Sequence, residues 1–157
     1  GSTSTVLPSA QKITEGSTAG LTIAKLRTAK QTFDLNSVDP SIPRFIIVSP
    51  RQINDLLGTT EVTSSDFNTV KALANGEINS FLGFNFIVSN RLSIASSKRL
   101  CIAFAQDGIT LAVGKDVQAR IDERAARSYA TQVYYCMSIG ATRMEEEKIV
   151  SIEAHEA

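Results

Sequence analysis

Three successive segments between Asp116 and Glu153 show the period-two alternation of β-strands. In the first, DVQARIDER, apolar side chains recur at every second position, which predicts a strand with one solvated face. The second, SYATQVYYCMSIG, is rich in β-formers, which predicts that both of its faces are partly covered. A third, residues 149–154, completes a predicted three-stranded sheet. Strands of this length are unusual in a chain of this size and constrain the fold most.

The bulk composition excludes several classes of protein. Sixteen Lys and Arg balance sixteen Asp and Glu in 157 residues, so no global charge predicts a nucleic-acid partner. No apolar stretch approaches the roughly 20 residues that a membrane span needs, and no signal peptide is visible, so we expect a soluble, intracellular protein. The chain does not begin with Met, and its opening Gly-Ser-Thr-Ser-Thr is typical of a tag remnant or of a cut inside a longer gene. We therefore expect a fragment.

The beginning of the chain predicts a lead-in followed by a helix. Residues 1–19 are rich in Ser, Thr and Gly and predict an extended or mobile segment. Residues 20–36 have the apolar period of an amphipathic helix, with Lys25, Arg27 and Asp34 outside the apolar stripe. Two prolines in the NSVDPSIPR segment end it.

The middle of the chain predicts a small α+β lobe. The segment RFIIV, residues 44–48, predicts a strand. Ser49 predicts the N-cap of a short helix that ends at residue 57, with Gln52 completing a capping box. A second short helix is predicted over residues 66–74 from its apolar spacing.

Further strands are predicted in the same lobe. The segment FNFIVSN predicts a strand whose partner is LCIAFA, residues 100–105. Cys101 and Cys136 both lie in apolar runs, which favours buried thiols over a disulfide.

The segments and residues that could form a phosphate-binding loop or a catalytic site do not have the required spacing or position. The GITLAVGKD segment has five residues between Gly108 and Gly114 instead of the four of a phosphate-binding loop, and Asp116 replaces its Ser or Thr. Gly114 therefore predicts a bend that leads into the long strand. The one histidine, His155, lies near the end of the chain, where we expect fraying. We predict no catalytic residue, no cofactor and no metal site.

Charged groups outside these motifs have plain explanations. The carboxylate pairs at 122–123 and 145–147 predict a solvated turn or an ion-pairing edge, because adjacent strand residues point to opposite faces. Lys25, Arg27 and Lys30 on one helix predict either a solvated face or contacts with phosphates.

The ordered series of segments resembles the C-terminal portion of tailed-bacteriophage major capsid proteins of the Hong Kong 97-like fold. The resemblance covers residues 20–154 and rests on GLTIAKLRTAKQTFD, RFIIVSPRQINDLL, VKALANGEINSFLGFNFIVSNRL and CIAFAQDGITLAVGKDVQARIDERAARSYATQVYYCMSIGATRMEEEKIVSIEA. It implies an α+β fold, partial because nothing matches the N-terminal arm and extended loop of the family. The implied peripheral domain comprises residues 20–43 and 116–157, the axial domain residues 44–115, and residues 1–19 precede both.

The same resemblance implies a structural, non-enzymatic function. Copies of the full-length protein would self-associate as pentamers and hexamers of an icosahedral shell that encloses double-stranded DNA with weak, non-specific contacts. The implied location is the virion capsid, after synthesis in the bacterial cytoplasm and without contact to a membrane. Two alternatives stay open: a shell subunit of an encapsulin-like nanocompartment, and a small α+β enzyme or ligand-binding domain.

Charges of both signs in the last third are candidate inter-subunit contacts. An exposed ion pair contributes about 0 to 1 kcal/mol, but a contact repeated around a closed ring adds up. Each could equally be an ordinary surface charge. The candidates are Arg120, Asp122, Glu123, Arg124, Arg143, Glu145 and Glu146.

Overall fold

The computed structural model describes residues 6–14, 19–57 and 80–156, which fall into two compact units. One unit comprises Gly1–Gly108 with Glu145–Ala157, and the other comprises Ile109–Met144. The helix predicted over residues 66–74 lies outside the described residues. The division into peripheral and axial domains stays a prediction; in the structure, residues 20–43 and 149–156 belong to the same unit as residues 44–108.

The described elements of the first unit are two helices and seven strands. The helices are α1 (Ile23–Leu35) and α2 (Pro50–Leu57). The strands are β1 (Lys12–Ile13), β2 (Arg44–Val48), β3 (Ser80–Phe81), β4 (Phe84–Val88), β5 (Ile94–Ala95), β6 (Lys98–Ala105) and β9 (Ile149–His155). The second unit holds β7 (Ile109–Arg124) and β8 (Ala130–Arg143).

The strands of the first unit form one mixed sheet. Their order is β1-β9-β6-β2-β4-β3, with β5 also paired to β6. Strands β1 and β9 are parallel, as are β2 and β4, and the other pairs are antiparallel. A mixed sheet with few helices confirms the predicted α+β class.

Two of the predicted strand pairings are wrong. β4, the FNFIVSN segment, pairs with β2, and β2 lies between it and β6. β9, the third segment of the predicted long sheet, pairs instead with β6 over seven positions and with β1. Alternating hydrophobicity specifies a strand and its buried face but carries no information about its neighbour, which explains both errors.

The core lies between α1 and this sheet. Leu26, Ala29 and Phe33 on α1 are fully buried. On β2 the alternate side chains of Ile46 and Val48 are fully buried as well. The predicted amphipathic helix and the predicted RFIIV strand are therefore both confirmed.

Lys25 is buried in the apolar stripe of α1, so its predicted place outside that stripe is wrong. Its side chain is 4% exposed. Its Nζ donates to the carbonyl oxygens of Ala19 at 2.9 Å, Gly20 at 3.0 Å and Glu153 at 2.8 Å. The apolar stem packs in the core while the ammonium meets three carbonyls. Burial lowers the Lys25 pKa below its ordinary value.

The predicted capping box of α2 is confirmed. The backbone N–H of Ser49 donates to the side-chain Oε1 of Gln52 at 2.9 Å. The carbonyl of Ser49 accepts the first helical bond from the N–H of Ile53. The helix begins at Pro50, directly after the predicted N-cap, because the fixed φ of proline suits the first helical position.

Both ends of the described chain are held in the sheet. In the lead-in, residues 9–11 form a single 3₁₀ turn and β1 adds to the edge of the sheet beside β9. His155 is the last residue of β9, and its N–H donates to the carbonyl of Ala19 at 3.1 Å. The frayed end predicted at His155 is therefore wrong. Of the extended or mobile lead-in predicted over residues 1–19, the extended alternative holds at β1.

Glu156 ties the end of β9 to two other elements. Its carboxylate accepts hydrogen bonds from Arg99 Nε at 2.6 Å and Nη2 at 3.0 Å on β6. It also accepts from Ser49 Oγ at 3.1 Å and Gln52 Nε2 at 2.7 Å at the start of α2. The Arg99 guanidinium, supported by Gln52 and Ser49, lowers the pKa of Glu156 to about 2.

Replacing Glu156 with glutamine is expected to lower the free energy of unfolding at pH 7 by roughly 1 to 2 kcal/mol, because charge-assisted hydrogen bonds are lost. A lowered carboxyl pKa stabilises the fold fully above the ordinary pKa of 4.5, and this contribution is lost as the pH falls from there towards about 2. The difference between wild type and variant should therefore shrink over that range. Urea unfolding at pH 7 and at pH 3 measures it.

Glu153→Gln is the matched control, because its pair with Lys98 is more exposed. We expect it to change the free energy of unfolding by less than about 1 kcal/mol. Equal losses for the two variants at pH 7 would contradict the role given to Glu156.

Candidate assembly surface

The second unit is a two-stranded antiparallel ribbon. Its ladder runs from the pair Ile109–Arg143 to the pair Arg124–Ala130. The strands contain 16 and 14 residues, so the two long strands predicted from the sequence are confirmed. The first begins at Ile109, seven positions before its predicted start at Asp116, and Gly114 therefore lies inside the strand.

Two irregularities in β7 shift the register of the ribbon. One lies between Val113 and Lys115, at Gly114, and the other between Lys115 and Gln118. Each places one extra residue in β7 against β8, as in a β-bulge. At the second, the N–H of Val117 donates to the side chain of Asp116 at 2.7 Å. The bend predicted at Gly114 is thus a bulge within the strand.

The two bulges together preserve one apolar face along the whole ribbon. Each bulge takes up its extra residue locally, so the pairs beyond it keep their faces. Val113 pairs with Ile139 before the bulges, and Ile121 pairs with Val133 after them. From this register, one face carries Leu111, Val113, Ile121, Val133, Tyr135, Met137 and Ile139.

This apolar face is open to solvent in the single chain. Its seven large side chains are 47% to 71% exposed, and no residue from 109 to 144 is buried. The prediction that both faces of the SYATQVYYCMSIG strand are covered is therefore wrong for one chain. A two-stranded ribbon has no second layer of its own, so an alternating pattern cannot produce burial within it.

An open apolar face of this kind indicates a surface that another element covers. Single exposed apolar side chains are ordinary, but a contiguous row marks an interaction site. Covering each of the seven would contribute on the order of 1 kcal/mol, since each is already partly shielded. A two-stranded ribbon is also marginal until a further strand or layer supports it.

The turn of the ribbon has a defined shape. A single 3₁₀ turn, Ala125–Arg127, follows β7. Ser128 and Tyr129 then adopt left-handed conformations, with φ of 52° and 58°. Neither residue is glycine, so the turn holds backbone conformations that cost free energy and persist only where neighbouring structure fixes them.

Four of the predicted contact residues lie near this turn. Arg120, Asp122 and Arg124 alternate along the polar face, opposite Tyr134, Gln132 and Ala130. Glu123, opposite Thr131, falls on the apolar face. The structure therefore brings three of the four together, while their role as inter-subunit contacts stays a prediction.

The other three predicted contact residues are Arg143, Glu145 and Glu146. Arg143 ends β8 opposite Ile109. Glu145 belongs to the first unit and pairs with Lys148 at 2.9 Å. Hydrogen bonds to Asp107 and Glu145 raise the Lys148 pKa. The backbone carbonyl of Glu146 accepts a hydrogen bond from the N–H of Ile149.

The two cysteines differ in environment. Cys101 in β6 is fully buried, as predicted, and burial raises the pKa of its thiol to about 12. Cys136 is only partly buried on the polar face of the ribbon, so its prediction as a buried thiol is wrong. A hydrogen bond with Cys136 raises the pKa of Tyr134.

Sequence reasoning found the charges of the ribbon and missed its open apolar face. The signal was present in the alternation of both strands, but it could be interpreted only once the register showed that the two apolar rows share a face. Among residues 6–14, 19–57 and 80–156, no helix has the length and apolar character of a membrane span.

Comparison with known proteins supports this description. The profile of the Phage capsid protein family matches residues 1–156. A search of curated proteins found no match. Among solved structures, a chain from Mycobacterium phage Che8 matches with a TM-score of 0.67 and 16% identity, over 81% of this chain and 46% of that one.

Two further structures show the same fold. The capsid of the cyanophage P-SCSP1u matches with a TM-score of 0.67 and 18% identity, over 85% of this chain and 46% of that one. The SrpI encapsulin of Synechococcus elongatus matches with a TM-score of 0.63 and 10% identity, over 96% of this chain and 55% of that one. The chain spans about half the length of these structures.

These similarities define the class of protein. The fold is the Hong Kong 97-like α+β fold, as predicted. The chain belongs to the Phage capsid protein family. Family and fold both point to a structural role.

Proposed function

We propose that the chain is part of a structural subunit of an icosahedral phage or prophage capsid and that it functions by associating with other copies of itself. Membership of the Phage capsid protein family supports this function. Because the chain spans about half the length of the matched structures, the proposal concerns the part of the subunit that these residues form. The single observation that carries it is the open apolar face of the ribbon.

That face is suited to association between copies. It is continuous along both strands, and its side chains stay in water when one chain stands alone. A second copy that covers it removes this surface from water and supplies the layer that a two-stranded ribbon lacks. For the chain of 157 residues we expect weak, small oligomers, because one ribbon offers limited area.

The charged residues of the ribbon would orient its partners. Glu123 and Arg143 lie at the two ends of the apolar face and would orient the copy that covers it. Arg120, Asp122 and Arg124 present both signs of charge on the polar face, where they would orient a further copy. Exposed pairs contribute little free energy but exclude wrong registers.

Contact with packaged double-stranded DNA would be weak and non-specific. Lys25 is one of three cations predicted to touch phosphates. Its ammonium instead donates hydrogen bonds to backbone carbonyls. Arg27 and Lys30 stay exposed on α1 and could neutralise only a few phosphates. The subunit would be made in the bacterial cytoplasm and reside in the virion capsid.

The nanocompartment alternative shares the fold and has weaker support. The SrpI encapsulin is 10% identical to the chain, against 16% and 18% for the two phage structures. The matching family is also a phage capsid family.

Two adjacent tyrosines allow a matched test of the apolar face. Tyr135 lies on it and is 62% exposed, and Tyr134 lies on the polar face and is 52% exposed. Tyr135→Asp is expected to weaken self-association about tenfold or more, because a carboxylate is desolvated in the interface. Tyr134→Asp, opposite Arg120, should change it by less than about threefold. Sedimentation equilibrium over a concentration series measures both.

A wild-type chain that stays monomeric at all concentrations would exclude the proposed association. Equal effects of the two substitutions would mean that association occurs elsewhere. Circular dichroism of both variants checks that the first unit remains folded.

A further inference from the structure

A surface cavity of about 540 Å³ lies in the first unit. It joins the 3₁₀ turn before β1, the end of α1 and the loop that precedes β9. Its lining residues are Pro8, Gln11, Asn36, Glu145, Glu146 and Glu147. The lining is therefore rich in oxygen acceptors.

Gln11, which lines this cavity, has a side-chain acceptor without a donor in the described part of the chain. Its side chain is 5% exposed, and its Oε1 has no hydrogen-bond partner among the described residues. A buried acceptor without a donor costs about 1 to 3 kcal/mol, so such atoms usually meet a ligand, a water or a partner. Gln11 lines the same cavity as the three glutamates, which indicates an occupant that donates N–H or O–H groups.

The charges of the lining favour a cation. Glu145 is partly offset by Lys148. The carboxylate of Glu147 makes no ion pair with any residue that the structure describes. Its backbone carbonyl accepts from Asn36 Nδ2 at 3.2 Å, which holds the loop against the end of α1.

The geometry favours an organic cation over a bare metal ion. Among the described residues no three carboxylate, imidazole or thiol groups come close enough to hold a metal. A guanidinium carries five N–H donors in a planar fork, which suits carboxylates and an amide oxygen together. The cavity thus has the chemistry of an arginine receptor.

We propose that the cavity receives an arginine from the ribbon turn of a second copy of this chain. Arg124 and Arg127 stand at that turn, both exposed and neither ion-paired among the described residues. The left-handed pair Ser128 and Tyr129 follows them and completes the turn. This inference rests on the proposed self-association and names the contact that would give it direction, since a turn in a cavity is a heterologous, head-to-tail contact.

Disulfide trapping tests the contact directly. In a Cys136→Ser background, one chain carries Pro8→Cys, which lines the cavity, and the other carries Ala126→Cys, between the two arginines of the turn. Both variants keep the carboxylates and the arginines, and the two chains are mixed with oxidised and reduced glutathione. The remaining Cys101 is buried and should not react. The control partner carries Lys115→Cys, an exposed position of the ribbon away from the turn. We expect the Ala126→Cys partner to give about tenfold more mixed dimer than the control, because docking raises the local thiol concentration.

A charge exchange gives a second measurement. Glu147→Arg in one chain, or Arg124→Glu with Arg127→Glu in another, should each weaken self-association. Mixing these two variants should restore association between unlike chains, because the signs are complementary again. Dimer yields equal to the control, with no recovery on mixing, would overturn the inference.

The outcomes separate this inference from the proposed function. If the wild type associates and loses association with Tyr135→Asp, but trapping matches the control, the cavity contact is wrong and the proposed function stands. If the wild type does not associate, the proposed function fails as well. If calcium chloride raises the Tm of the wild-type chain but not that of Glu147→Gln, and trapping matches the control, the occupant is a metal ion and the inference is wrong.

Discussion

Replacing Phe33 with alanine is expected to lower the free energy of unfolding of the first unit by about 3 to 5 kcal/mol. Phe33 is fully buried, and its ring centroid lies 5.9 Å from that of Phe84 on β4. The guanidinium carbon of Arg44 lies 5.3 Å from the same centroid, and Arg44 in turn bonds Asp34. Removing the ring leaves a cavity. The buried guanidinium of Arg44 also loses its aromatic contact.

Phe45→Ala is the matched control for this substitution. Phe45 lies next to Arg44 on β2 but points to the other face, where it stacks on Phe104 at 5.7 Å and remains partly exposed. We expect it to cost about half as much or less, because less area is lost from the core. Thermal unfolding followed by circular dichroism should show a fall in Tm of about 10 °C for Phe33→Ala. A smaller loss than for Phe45→Ala would mean that the core lies on the other face of the sheet.

Replacing Lys25 with methionine is expected to lower the free energy of unfolding by roughly 2 to 4 kcal/mol, although methionine is the more apolar residue. The ammonium joins the carbonyls of Ala19 and Gly20, before α1, to that of Glu153 in β9. Methionine fills the space of the stem but donates no hydrogen bond, so acceptors in a partly buried place lose their donor.

The control for Lys25 lies on the same helix. Lys30→Met removes an exposed lysine of α1 and should change stability by less than about 0.5 kcal/mol. Urea unfolding of both variants at pH 7 gives the comparison. A stabilised Lys25→Met variant would show that burial of the ammonium costs more than its three hydrogen bonds contribute.

Local chemistry made much of the first unit predictable from sequence. The apolar period of α1, the β-branched run of β2 and the Ser49–Gln52 capping box each depend on residues within one element. The structure has each at or near its predicted position, because propensity and capping act over a few residues.

Features that depend on distant residues were not predictable in the same way. Lys25 is buried because Glu153, 128 positions away, supplies one of its three carbonyls. β9 pairs with β6 over seven positions, and the alternation within β9 carries no information about which strand lies beside it. The same reasoning explains the missed cavity, whose lining comes from three separate segments.

The ribbon shows both limits at once. Its long strands and charges were visible in the sequence. The pairing that places the apolar side chains of both strands on one face depends on the two bulges in β7. Predicted burial of both faces failed because a periodic pattern reports what a segment is suited to contact and not whether the contact lies in the same chain. The open apolar face is suited to a contact that the single chain does not make.

The bulges also bear on how related chains can differ in length. Gly114 is an extra residue between two adjacent positions of the ladder, so its loss would place Lys115 directly after Val113 and leave Ile121 opposite Val133. Single-residue length differences between Val113 and Gln118 should therefore leave both faces of the ribbon unchanged, and only the local twist and bend of β7 should differ among homologues.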